Sequence, residues 1–142
     1  MIGMDILKPV VALAAWTFVM WTWMYATRIP AMSRLKVDPD SLARDPDAKL
    51  DRLLPPQVQW KAHNYNHLHE APTVFYAIAV VLAIVGQGDG LNARLGWAYV
   101  ALRVIHSLVQ ATVNRVVVRF AVFVASSLVL LALVVQAARA VF

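Results

Sequence analysis

The chain has 142 residues, of which 61% are hydrophobic and only 15% charged. Soluble domains carry about a quarter charged residues, so one water-facing core cannot hide this much hydrocarbon and lipid must cover part of it. The formal net charge is +5 and cysteine is absent, which excludes disulfides, thiolate metal sites and a cysteine nucleophile. The basic residues flank the apolar stretches, where they meet lipid head groups, so no nucleic-acid partner is expected.

The first apolar stretch covers about residues 6–27. It is longer than the core of a secretory signal, and Trp16, Phe18, Trp21, Trp23 and Tyr25 suit a helix end at the membrane interface. It reads as a transmembrane helix that stays in the protein. Over about 28–56 the character changes: Pro30, Pro39, Pro46, Pro55 and Pro56 break regular structure among charges of both signs. This predicts a loop outside the membrane, with one short helix near 41–53.

A second helix is predicted over 57–85, polar in its first half and apolar in its second. The run Gly86-Gln87-Gly88-Asp89-Gly90 then makes a tight connection. It is not a phosphate loop, because the lysine and Ser/Thr ending is missing. A third helix over 92–113 carries Arg103 and His106, a turn falls near Asn114, and a fourth helix over 117–139 is long enough to span roughly 30 Å of hydrocarbon. The expected fold is all-α: one domain, an integral membrane bundle of four helices.

Arg28, Arg34, Lys36, Arg44, Lys49, Arg52 and Lys61 lie in or beside the first loop, and Arg115 and Arg119 flank the third turn, against Lys8, Arg94 and Arg139 on the other side. The positive-inside rule places the long loop in the cytoplasm and both termini across the membrane, periplasmic if the membrane is a bacterial inner membrane.

Ionisable groups inside membrane helices cost a few kcal/mol each and mark function by default. On the second helix His63, Asn66, His67, Glu70 and Thr73 follow steps of three and four, and on the third Arg103, His106, Gln110 and Asn114 do the same. Two polar stripes in lipid are best satisfied facing each other or a shared watery pocket. One reading is structural: Glu70 and Arg103 pair and lock the packing. The other is a cationic, half-buried cleft, with Arg119 at the same edge, suited to a small anionic ligand because arginine offers a planar fork to carboxylates. No metal site is expected: His63 and His67 share a face, but His69 points elsewhere and no further ligand completes the set. Ser126 and Ser127 suit close helix packing.

The stretch His63-Asn64-Tyr65-Asn66-His67-Leu68-His69-Glu70-Ala71-Pro72-Thr73-Val74-Phe75-Tyr76 resembles the second-helix signature of the MAPEG family, the membrane-associated proteins in eicosanoid and glutathione metabolism. Leu102-Arg103-Val104-Ile105-His106-Ser107, followed by Thr112-Val113-Asn114-Arg115 and Arg119-Phe120, resembles that family's third helix and turn, closest to a bacterial branch. The resemblance implies a trimer of four-helix protomers with glutathione as co-substrate, bound between subunits near the cytoplasmic face. It also implies a lipophilic electrophile or hydroperoxide as second substrate, so that the protein is a transferase or peroxidase. By position it assigns thiol activation to Arg119 and Arg28, and glutathione contacts to Asn66, His67, Glu70, Arg103, His106 and Gln110. The chain departs from the family where Asn66-His67 replaces an Arg-Asn pair, where Gln110 and Phe123 replace ligand-contacting tyrosines, and where Phe120 replaces a small polar residue. A non-catalytic membrane protein, a binding module or a stabilising subunit of a larger complex, is the competing expectation.

Overall fold

A computed structural model describes residues 2–45 and 50–142. Every regular element among them is helical: α1 (Leu7–Arg34), α2 (Pro39–Arg44), α3 (Leu50–Leu53), α4 (Pro56–His67), α5 (Ala71–Ile84), α6 (Leu91–Thr112) and α7 (Val116–Val141). Three helical segments are long and apolar enough to cross a membrane: Leu7–Arg34, Pro56–Ile84 and Val116–Val141. The 22-residue α6 is less apolar, because Arg103, His106, Ser107 and Gln110 sit on its buried face.

Two boundaries differ from expectation. The first helix runs through Pro30 to Arg34 instead of ending near residue 27, since a proline costs a helix only one hydrogen bond and a local clash when packing holds both sides. The continuous helix expected over 57–85 is divided. Pro72 has no N–H to donate and its ring crowds the carbonyl four residues back, so the chain turns through Leu68–Glu70 before α5 begins. The Thr73 hydroxyl donates to the Glu70 carbonyl at 2.6 Å, and no side chain caps the new start. In place of one short helix near 41–53 the loop holds α2 and α3; Pro46, Asp47 and Lys49 lie outside the described residues. Asp38 opens α2 as its N-cap, accepting from the Asp40 amide at 3.1 Å.

α1 packs on α4, α5 and α6, and α7 packs on α5 and α6. The buried stripe of α1 is Pro9, Leu13, Met20, Met24 and Ala31, spaced by four and seven as in helix seams. Small residues let backbones approach: a Cβ on Gly96 would stand 3.0 Å from the Pro9 ring, and α7 buries Ser126 and Ala137 beside Leu133. Phe75 of α5, fully buried, stacks on Tyr99 of α6 with centroids 4.6 Å apart.

The two ends of the bundle are built differently. At the end bearing the termini, the Gly3 amide donates to the Ala83 carbonyl at 2.8 Å and the Ile6 amide to the Gly88 carbonyl at 2.9 Å. Gly3 and Gly88 touch so closely that a Cβ on either would collide with the other's backbone. Gly86, at φ +76°, ends α5, and the Gln87 amide reaches back to the Leu82 carbonyl. At the loop end, Arg28 of α1 donates to Gln59 of α4 at 3.4 Å, and Lys61 stands 5.4 Å above the Trp23 ring.

Candidate functional site

The break between α4 and α5 shapes the site. It leaves His67 as the last residue of α4 and Glu70 as the residue before α5. His67 faces across to α6, where Arg103 Nη2 donates to its Nδ1 at 2.6 Å. The other ring nitrogen, Nε2, lies 3.8 Å from Glu70 Oε2; the His67 side chain is 23% exposed and that of Glu70 68%. The His106 ring, one turn along α6 from Arg103, stacks on the His67 ring at 4.9 Å and 18°. Phe123 of α7 meets the same ring edge-on at 5.8 Å. Three helices thus fix one imidazole.

Arg103 is fully buried, and its Nε and Nη1 have no partner. No ion pair joins it to Glu70 among the described residues, so the interlocking pair considered from the sequence is not formed; His67 stands between them. The surroundings of Arg103 are unusually polar for an interior. Asn64 one turn back on α4, Tyr99 and Ser107 one turn either way on α6, and Gln110 beyond are all buried, and each has at least one polar atom unpartnered. Such atoms cost about 1–3 kcal/mol each unless water or a ligand meets them.

The eight residues singled out from the sequence fall into three groups. His67, Glu70, Arg103 and His106 come together. Gln110 continues the buried face of α6, while Asn66 points outward from α4. Arg119 and Arg28 are each held by an amide side chain, and Arg119 lies near enough for its charge to reach His67 and His106. Asn114, which adopts φ +49° to end α6, accepts from Arg119 Nη1 at 2.5 Å. Asparagine tolerates that left-handed conformation better than most residues, so one residue both makes the turn and aims the arginine. Arg28 rests on the buried Gln59.

Asn64, Tyr99, Ser107 and Gln59 were not singled out as site residues. Ser107 lies four residues after Arg103 and Asn64 three before His67, so the same steps of three and four reach both within the stripes. A groove of 440 Å³ opens at the loop end between α1 and α4, walled by Thr27, Pro30, Ala31, Pro55 and Val58 with Arg34 among its lining residues. Among the described residues no three His, Asp or Glu side chains gather to hold a metal ion.

Chemically, the arrangement offers a buried cation, two imidazoles and hydrogen-bond donors within an apolar body. That suits holding and polarising a small anionic molecule. No curated protein and no solved structure matches the chain significantly. The family model of the MAPEG family matches residues 6–139, nearly the whole chain, and the chain belongs to that family.

Proposed function

We propose that this is a glutathione-dependent membrane enzyme, a transferase or peroxidase acting on lipophilic electrophiles or hydroperoxides. The observation that carries this reading is the polar cluster of His67, Glu70, Arg103 and His106 in a chain of a family concerned with glutathione. A packing device would be expected to satisfy its own polar atoms. This one leaves several unpartnered in the interior and turns Glu70 outward.

In this reading α6 is the fourth crossing segment, its polar face covered by α1, α4 and α7. The long first loop faces the cytoplasm and the termini the opposite side, in a bacterial inner membrane, as the basic residues suggest. Asn66, Glu70 and Thr73 form an outward polar face that lipid solvates poorly, so a second copy of the chain covers it and the working unit is a homotrimer. Glutathione lies at that boundary with its charged ends on the donors and on Glu70. His67, Glu70 and Asn66 meet it directly, while Arg103, His106 and Gln110 act from behind. The lipophilic substrate arrives through the lipid-facing wall.

Arg119, and in second place Arg28, stabilises the glutathione thiolate, because a cation beside a thiol favours its anion. The thiolate sulfur forms the new bond to the electrophilic atom, and that atom's leaving group departs with the electron pair. The protein acts as an electrostatic scaffold. The test is Arg119→Leu in the assembled protein: it should abolish the thiolate absorbance that appears when glutathione is added to the unmodified protein, while the assembly keeps its mass. An unmodified protein that gives no such absorbance, and no thermal stabilisation by glutathione, would leave the non-catalytic membrane protein as the answer.

A further inference from the structure

The contact between Arg103 and His67 has a direction. A guanidinium has donors only, so at 2.6 Å the His67 Nδ1 must be the acceptor and carries no proton. A neutral imidazole holds one proton, which is therefore on Nε2. Turning the ring over would set Cδ2, a carbon that cannot accept, against Arg103, so the contact fixes the ring's orientation as well; His106 stacks on the ring at 4.9 Å and Phe123 meets it at 5.8 Å. Nε2 is the atom directed toward Glu70, across a 3.8 Å gap too wide for a direct hydrogen bond. The His67 side chain is part-exposed and that of Glu70 mostly so, which leaves the Nε2 side of the ring open to an acceptor arriving from outside.

We propose that Arg103 is a positioning residue that holds His67 neutral with its proton on Nε2, so that His67 presents a hydrogen-bond donor to a ligand and not a base. The ligand group it fits is an acceptor: a carbonyl or carboxylate oxygen, or a sulfur anion. His67 cannot take a thiol proton at Nε2, which already carries one, nor at Nδ1, which faces the Arg103 cation. Thiol activation is left to electrostatics alone. The inference rests on the glutathione reading for the identity of the acceptor; the state of the ring does not depend on it.

The first test needs no ligand. Full-length protein carrying histidine labelled at both ring nitrogens, in lipid nanodiscs at about pH 7, near the middle of the range where histidine charge is set by its surroundings, should show His67 with a bare Nδ1 and a protonated Nε2. The signal missing from His67→Asn identifies the residue. A proton on Nδ1 alone, or on both nitrogens, overturns the proposal. Arg103→Met should release the ring into a mixture of both tautomers, a change that a merely structural arginine would not produce.

The second test reads the outward donor. His67→Gln keeps an N–H where Nε2 stood, and His67→Asn keeps only the inner acceptor for Arg103. Glutathione binding should stay within about threefold in the glutamine variant and fall about tenfold in the asparagine variant, the value of one hydrogen bond to a charged group. Equal loss in both overturns the donor assignment. A protein with the expected tautomer that binds no glutathione removes the ligand reading and keeps the Arg103–His67 device.

Discussion

The polar stripes of the second and third predicted helices look alike in sequence and end up opposite in the fold. Arg103, His106, Ser107 and Gln110 turn inward on α6, whereas His63, Asn66, Glu70 and Thr73 turn outward from α4 and α5. His67 alone crosses from one set to the other. In water the difference would be trivial, because an outward polar face is the ordinary solution. In lipid it is not, because the outside is apolar too. The inward stripe is covered within one chain although several of its polar atoms stay unpartnered, while the outward one asks for cover. The comparison teaches that spacing finds a polar face and says nothing of which neighbour that face meets.

The sharpest way to break the comparison is to place a cation on each stripe. Ser107→Lys puts a second charge beside Arg103 in a fully buried position and should cost on the order of 3–5 kcal/mol, the cost of an uncompensated buried charge. The readout is loss of folded protein by thermal unfolding in detergent. Thr73→Lys, on the outward stripe, should leave the chain folded and release single chains in mild detergent, measured by mass. A folded trimer carrying Thr73→Lys would show that the outward stripe already faces water or head groups.

The turn after α6 offers a smaller effect that separates structure from function. Asn114→Ala should destabilise by about 1–2 kcal/mol, because alanine resists the left-handed conformation, and Asn114→Gly should not. Both remove the acceptor for Arg119, so both should weaken glutathione binding by about fivefold, roughly one hydrogen bond. If the glycine variant binds as well as the unmodified protein, the arginine needs no aiming.

The smallest effect belongs to Glu70→Gln. With Glu70 largely exposed and unpaired with Arg103, stability should change by no more than about 0.5 kcal/mol in the ligand-free protein, while glutathione stabilisation is lost. A large drop without glutathione would restore the structural pair and erase the distinction between the two stripes.

Much of this was legible in advance. Apolar runs gave the long helices, Gly86 and Pro55-Pro56 gave their ends, and steps of three and four gave both stripes. Pro72 is legible too, and the continuous helix predicted over 57–85 gives it too little weight: a proline so soon after His67 and Glu70 stops α4 and lets the two side chains diverge. The partner of Arg103 could not be read, because Glu70 and His67 share one face of the predicted helix and only the break decides which one reaches α6. Asn64 and Gln59 escaped notice because an amide inside a membrane protein looks, by type alone, like any surface amide. Their burial comes from helix contacts between residues far apart in sequence. Ser107 was visible as the next step of the stripe, and Asn114 as a turn residue, though its grip on Arg119 was not.

One feature of the opposite end bears on how the protein is made. The N-terminal segment is strapped to the α5–α6 turn by Gly3 on Ala83, Ile6 on Gly88 and the Asp5 amide on the Asp89 carboxylate at 3.0 Å, a separation of 84 residues along the chain. The ribosome therefore delivers α1 to the membrane long before its fastening exists. Until the turn has emerged, the first helix is free to tilt and to drift from its seat, and closing so wide a loop is the slow kind of contact. This earlier-made segment is thus tied only once the later turn exists. Any crowding of the Gly3–Gly88 crossing would surface during biogenesis, as chains cleared by quality-control proteases, before it was felt in the finished protein.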